Sequence, residues 1–245
     1  MLADLTNYPY ASGRRVVLGN RGAVATSQPL ASLAGMEMLW AGGNAIDAAV
    51  AMAISLTVVE PTSNGIGSDA FALVWDGKLH GLNASGKSSQ QHTLDHFAGL
   101  DRVPPWGWLG VTVPGAVSAW HTLWQRWGKL PFEQLFAPAI RYAESGYPVS
   151  PVTARAWKAA EQIYLPQAAP EFQPFRQTFF PDDRAPQAGE VWHSPGHAET
   201  LRTIAQSGGE EFYRGKLAEA IVEFAAATGG LLTLADLAAL GQAAV

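Results

Sequence analysis

From Ala45 to Val58 almost every position is apolar, interrupted near its start only by Asp47. A helix with apolar residues on all sides must be covered on all sides, unlike a surface helix with one apolar stripe. Asn44 precedes it with Asp47 three residues on, the spacing of a capping box, and Pro61 ends it. A second helix is predicted over 30–40, capped by Ser27, with Pro29 in its first turn. Its apolar positions Leu33, Met36 and Trp40 lie near one face, and Gly42-Gly43 stops it. Ahead of it, Val16-Val17-Leu18 and Ala23-Val24-Ala25-Thr26 read as short strands turned at Asn20-Arg21-Gly22.

Further on the period changes. Residues 71–75 and 78–82 read as two strands joined by Asp76-Gly77. Pro114-Gly115 opens a helix with Trp120, Trp124 and Trp127 at i, i+4 and i+7, an apolar stripe that reads as core packing. Leu130-Pro131 begins another, carrying Leu135, Ile140 and Ala143 and ended by Gly146 and Pro148. Residues 166–197, rich in Pro, Gln, Asp and Gly, are expected to form an irregular excursion. A last long helix is expected over 212–227, stopped by Gly229-Gly230, and Thr233 with Asp236 caps one more turn. No internal repeat or low-complexity tract occurs.

Composition narrows the classes. The 245 residues are 48% hydrophobic and only 15% charged. That is ample material for a core and little for a disordered chain. The net charge of −5 lacks the basic excess that phosphate backbones require, so nucleic-acid binding is not expected. With no cysteine, disulfides, thiolate metal sites and a cysteine nucleophile are all excluded. The apolar run at 45–59 falls short of the roughly 20 residues that span a bilayer. The start, Met1-Leu2-Ala3-Asp4-Leu5-Thr6, has no basic region followed by an apolar run. No secretory signal or membrane association is therefore expected, and the expected location is cytoplasmic.

Candidate chemistry is sparse. Gly65-Ile66-Gly67-Ser68-Asp69-Ala70 has the outline of a dinucleotide fingerprint, but a helix precedes it and a strand follows, the reverse of what that motif needs. Gly65 and Gly67 read instead as a structural loop where backbone approaches another group. His92 and His96 have a metal-pair spacing without a third ligand, and read as solvent-facing. Asn83-Ala84-Ser85 is a formal glycosylation sequon, incidental without secretion. The Asp182-Asp183 pair reads as a solvated turn. Lys87 follows Ser85-Gly86 just beyond a predicted strand; it is either an ordinary exposed lysine or a cation projected toward a substrate carboxylate.

The order of segments goes further than any one of them. Gly22-Ala23-Val24-Ala25-Thr26-Ser27-Gln28-Pro29, Ala41-Gly42-Gly43-Asn44-Ala45-Ile46-Asp47-Ala48-Ala49, Val59-Glu60-Pro61 and Asn64-Gly65-Ile66-Gly67 resemble the γ-glutamyltransferase family. So do Val111-Thr112-Val113-Pro114-Gly115, Leu130-Pro131-Phe132, Gly146-Tyr147-Pro148-Val149-Ser150, Phe212-Tyr213-Arg214-Gly215 and Gly229-Gly230-Leu231-Leu232-Thr233, in the family's order. The resemblance implies an N-terminal nucleophile hydrolase of mixed α/β (α+β) class. Residues 1–245 would then be the large-subunit portion of a four-layer αββα sandwich with a helical middle. It also implies a partner: a small-subunit segment whose N-terminal threonine attacks a γ-glutamyl or related acyl amide, with no metal or organic cofactor.

Two departures qualify what the resemblance implies. No Thr-Thr-His-like segment occurs here, so no catalytic residue is expected in this chain. The leading expectation is therefore a large-subunit part, active only with its partner; the alternative is a catalytically inactive truncated family member or binding module. In the family's transpeptidases an arginine beyond the second hairpin strand binds the substrate α-carboxylate. Here Leu82-Asn83-Ala84-Ser85-Gly86-Lys87-Ser88-Ser89 is more similar to the acylase-like, cytoplasmic branch, where a Ser-Gly-Arg-Ala-Pro run occupies the same region, with Lys87 at that arginine's place and Ser88-Ser89 for Ala-Pro. Ser68 stands where a further glycine is usual. Asn83, Ser85 and Lys87 are thereby the expected substrate-binding residues, and lysine cannot reproduce arginine's bidentate fork. A chain that shares its sheets with a missing segment should expose strand edges and apolar surface, and self-associate when alone.

Overall fold

The computed structural model describes residues 17–240. Helix α1 (Pro29–Trp40) packs against α2 (Ala45–Val59), the centre of the core. Val50, Ala51, Ile54, Val58 and Val59 of α2 are fully buried, as an all-round apolar helix requires. The Asn44 side chain accepts the Ile46 and Asp47 N–H groups, and Asp47 answers by accepting the Asn44 N–H at 2.8 Å, so the capping box is real.

Around α2 lie α3 (Ala116–Trp127) and α4 (Ala137–Ser145), the latter entered through a 3₁₀ turn at Phe132–Phe136 rather than directly from Leu130. Gly146, at φ +83°, ends α4. The tryptophan stripe of α3 is divided. Trp120 is buried, whereas the half-buried Trp124 and Trp127 donate their indole N–H groups to Leu130 O and Asp76 Oδ2. Tyr213 holds the start of α3 from behind: its hydroxyl donates to Pro114 O at 2.8 Å and accepts from Ser118 N at 2.9 Å.

Strands β1 (Ala70–Trp75) and β2 (Leu79–Ala84) form an antiparallel hairpin in the register Ala70↔Ala84 to Trp75↔Leu79. Its inner face, with Leu82 and Ala84, lies on Ala119 of α3. A second small pair joins β3 (Tyr147–Pro148) to β4 (Val191–Trp192). Helices α5 (Pro151–Tyr164), α6 (Gln173–Phe179), α7 (Pro195–Gln206), α8 (Glu210–Arg214), α9 (Lys216–Thr228) and α10 (Leu234–Ala239) complete the order. Among the described residues no helix is long and apolar enough to cross a membrane.

Several local expectations are corrected. The strand pair expected near 16–26 does not form over the described part, and Val16 lies outside the described residues; Val24 packs singly on the helical core. Gln28, not Ser27, caps α1, and the Ser27 hydroxyl instead donates to Glu60 Oε2 at 2.6 Å. Residues 166–197 are less irregular than expected. They contain α6 and β4, and Phe180, Ala185 and Trp192 from this stretch are buried in the main core. The Asp182-Asp183 turn is exposed, with Arg176 on Asp183. The helix expected over 212–227 is two helices, broken where Gly215 is extended.

Candidate functional site

The end of the hairpin opposite its Asp76–Gly77–Lys78 turn gathers the residues singled out from sequence. Alternation along β2 leaves Asn83 exposed between the buried Leu82 and Ala84, and the same alternation carries on through exposed Ser85 and Lys87. The three side chains therefore share one face. Asn83 Oδ1 accepts from both Ser85 N at 2.9 Å and Ser85 Oγ at 2.8 Å. These two bonds fix the turn as β2 ends.

Lys87 is held by backbone contacts. Its carbonyl accepts the Val113 N–H at 2.9 Å, and Ser88 makes an antiparallel bridge to Thr112. A Cβ at Gly86 would lie 1.6 Å from Val113 O, and one at Gly115 would lie 1.7 Å from Ala84 O. Only glycines permit this approach. The Lys87 ammonium is exposed and pairs with no carboxylate among the described residues. Beside it runs a narrow cleft lined by Ser88, Gln90, Val113, Asp236 and Leu240.

The floor of that cleft is a fastened joint. Asp236, in the first turn of α10 and paired with its cap Thr233, accepts Gln90 N at 2.9 Å and the Thr233 hydroxyl at 2.7 Å, and Ser89 Oγ lies 2.9 Å from it. Burial opposes its charge, yet these hydrogen bonds together outweigh burial and hold its carboxyl below the usual carboxylate range. Asp236 is thus a structural anion that ties the segment after Lys87 to α10.

The glycine loop differs from expectation. Helix α2 precedes it and β1 follows, so the dinucleotide context is absent as read. The close backbone approach expected at Gly65 and Gly67 is not met among the described residues: a Cβ at Gly67 would find nothing within 4 Å. Ser68 organises the loop instead, accepting Gly65 N at 2.9 Å on its hydroxyl and Gly115 N and Ala116 N on its carbonyl. Asp69, which no sequence signal marks, reaches across to accept Gly86 N at 3.3 Å.

His92 and His96 differ in their surroundings. His96 Nδ1 accepts the Thr93 N–H, while His92, expected to face solvent, is half-buried with both ring nitrogens sealed against Phe97 and His96. Among the described residues no group of three His, Asp or Glu side chains could hold a metal ion. His197, unremarked in the sequence, lies near Thr57. Thr57 Oγ1 donates to Ile54 O, so the imidazole Nε2 donates to Thr57 at 3.3 Å, and burial pushes the ring's pKa down to about 4. It is a neutral packing group.

The sequence model of the family described as Gamma-glutamyltranspeptidase matches residues 31–242. Among curated proteins, glutathione hydrolase proenzyme 1 of Schizosaccharomyces pombe is 36% identical over 93% of this chain and 36% of its own length. The acylase ACY 1 proenzyme of Pseudomonas sp. (strain V22) is 36% identical over 91% of this chain and 42% of its own. A solved cephalosporin acylase from Bacillus halodurans is 54% identical, with a TM-score of 0.89 over 97% of this chain and 45% of that one. The chain therefore spans less than half the length of these relatives. The mixed α/β class and its place in the N-terminal nucleophile hydrolase sandwich agree with these neighbours.

Proposed function

Since this chain belongs to the γ-glutamyltranspeptidase family, we propose that it forms the large-subunit part of an amidohydrolase and acyltransferase acting on γ-glutamyl or related amides. The nucleophile is the N-terminal threonine of a separate small-subunit segment. Its free amine takes the hydroxyl proton as Oγ attacks the amide carbonyl and gives it to the leaving nitrogen as the C–N bond breaks; water or an acceptor amine, deprotonated by the same amine, then attacks the acyl-enzyme and frees Oγ. Cytoplasmic location is part of the same proposal.

The observation that carries this reading is the cluster at the hairpin end. An ammonium without a carboxylate partner among the described residues, a free amide N–H₂ on Asn83 and the Ser85 hydroxyl share one open face. They suit the charged end of an acyl donor, while the reacting amide extends toward the partner segment. Lys87 supplies a charge-assisted contact to a carboxylate. In the chain assayed together with its threonine-bearing segment, Lys87→Ala should lower kcat/KM for γ-glutamyl-p-nitroanilide about thirtyfold, mainly through KM. Lys87→Arg, which restores the planar fork, should keep activity within a few-fold of the parent. Equal activity of the alanine variant would remove Lys87 from the site. No hydrolysis of any acyl amide by the assembled protein would favour the inactive, binding-module alternative.

The hairpin supplies a second support. Its outer face carries Phe71, Leu73, Trp75 and Leu79, with Leu73 78% exposed, and among the described residues both of its edges are open. Such a face calls for a covering layer. We assign that cover to the threonine-bearing segment. Residues 1–245 alone should elute above monomer size in light-scattering chromatography, and adding the segment should bring them to a single defined complex. A monodisperse monomer with a cooperative melt would contradict this.

A further inference from the structure

Helix α7 begins beneath a cavity of about 480 Å³, walled by its own first turn, by Gln177 and Thr178 of α6, and by Ile66 and Pro181. The cavity shares no residue with the face formed by Asn83, Ser85 and Lys87, and among the described residues no carboxylate lines it. Ser194 stands at the cap position of α7, yet its side chain makes no capping bond. Ala198 N returns to Ser194 O, but the N–H groups of Gly196 and His197 bond to nothing among the described residues. Such donors point out along the helix axis and carry the positive end of its dipole. By themselves they would be left to water.

Ser194 is what marks this helix end. The residue is only 5% exposed, and its backbone N–H is spent on Ala143 O. Its hydroxyl has no hydrogen-bond partner among the described residues, and it is not one of the polar atoms sealed from solvent. The open space that Ser194 lines is this cavity, so the hydroxyl opens onto it. His197 lines the same space. Its Nε2 keeps the ring proton to donate to Thr57 Oγ1, so the unsealed Nδ1 offers a bare lone pair.

Three donors and one acceptor therefore face one cavity. The donors suit an oxyanion at a helix N-terminus. The acceptor narrows the choice, because a sulfate would set lone pair against lone pair, whereas a singly protonated phosphate has a hydrogen to give. The volume narrows it further. It lies in the range of small-molecule pockets, with room for an organic body beside one tetrahedral group.

We propose that this cavity is a binding site for a small phosphate monoester. The phosphate rests on the start of α7, taking hydrogen bonds from Gly196 N, His197 N and Ser194 Oγ and giving one to His197 Nδ1. Its organic part lies along Ile66 and Pro181.

Calorimetric titration of the chain at pH 6, alone and assembled with its threonine-bearing segment, tests this. At that pH about half of a phosphate monoester keeps its proton. Phenyl phosphate should bind both forms with Kd below about 1 mM. Phenyl sulfate should bind at least about tenfold more weakly, and inorganic phosphate several-fold more weakly for want of the apolar body. Ser194→Ala should weaken phenyl phosphate about tenfold. Its melting temperature should be unaltered, since the hydroxyl holds nothing within the chain. His197→Phe should erase the preference for phosphate over sulfate. No saturable binding of phenyl phosphate, equal binding of the sulfate, or an affinity untouched by Ser194→Ala would overturn the proposal. So would binding that vanishes on assembly, which would make the cavity a seat for the partner segment. Inorganic phosphate as tight as phenyl phosphate would overturn the ester and leave the free ion as the ligand.

Discussion

Asp47→Ala is expected to destabilise the fold by about 3–5 kcal/mol, the cost of removing a buried charged acceptor from several donors at once. Asp47 has no exposed surface. Its Oδ1 accepts Lys129 N at 3.0 Å and Leu130 N at 3.3 Å, and its Oδ2 accepts Asn44 N at 2.8 Å and Lys129 N at 3.2 Å. One carboxylate therefore closes the N-terminus of α2 and also fixes the chain where it leaves α3. Alanine would strand three backbone N–H groups in an interior that offers them no other partner among the described residues. Asp47→Asn is also costly, because its amide nitrogen would meet donors on one side. Urea denaturation of the parent and both variants measures this, with alanine falling furthest and asparagine between. A loss below about 1 kcal/mol for alanine would mean that water satisfies those donors.

The capping role of Asp47 was legible because Asn44 and Asp47 are local; its reach to Lys129 and Leu130 was not, because nothing in the sequence marks a contact 82 residues distant. The same division runs through the fold. Helix α2 announces itself by cap, period and stop, whereas α1 is marked by its period and its Gly42-Gly43 stop and α3 by Pro114-Gly115 and its tryptophan spacing. Helix α5 is hard to read because Ser150, its cap, and Pro151, in its first turn, come so soon after Pro148 that they look like the end of α4 rather than a new start. The stretch 166–197 misled by composition, since prolines and glycines said nothing of Phe180 and Trp192 being drawn into the core.

At the site, Asn83, Ser85 and Lys87 were readable as residues but not as one face. A two-residue turn at Asp76-Gly77 sets Trp75 against Lys78, whereas the hairpin has a three-residue loop with Gly77 at φ +103° and pairs Trp75 with Leu79. A one-residue slip turns one strand over relative to the other. Under the shorter turn Asp69 falls opposite buried Ala84; in the structure Ala70 takes that place and Asp69 lies beyond the paired residues. At the Gly65–Gly67 loop residue type indicated a close approach, and no group among the described residues makes one.

Gly86→Ala should be the most damaging single change at the site, costing about 3 kcal/mol in stability or forcing residues 84–88 away from 113–115. The strain is not conformational, because alanine suffers only from what it meets: a methyl group 1.6 Å from Val113 O, with Val113 N 2.9 Å away. Val113 N donates to Lys87 O and Gly115 N to Ser68 O, so the displaced backbone carries hydrogen bonds that hold both the lysine and the glycine loop. Lys87 would move with it, and hydrolysis by the assembled protein should fall at least as far as in Lys87→Ala. Gly67→Ala is the matching control, since an added methyl there meets nothing within 4 Å. Thermal melts of that variant should shift by less than the equivalent of about 0.5 kcal/mol, as for an ordinary surface change. If Gly67→Ala leaves the melt of the chain alone unchanged yet weakens its association with the threonine-bearing segment, the space above the loop belongs to that segment. If Gly86→Ala folds normally and keeps its Lys87-dependent turnover, the close approach of the two backbones is not what sets the lysine in place.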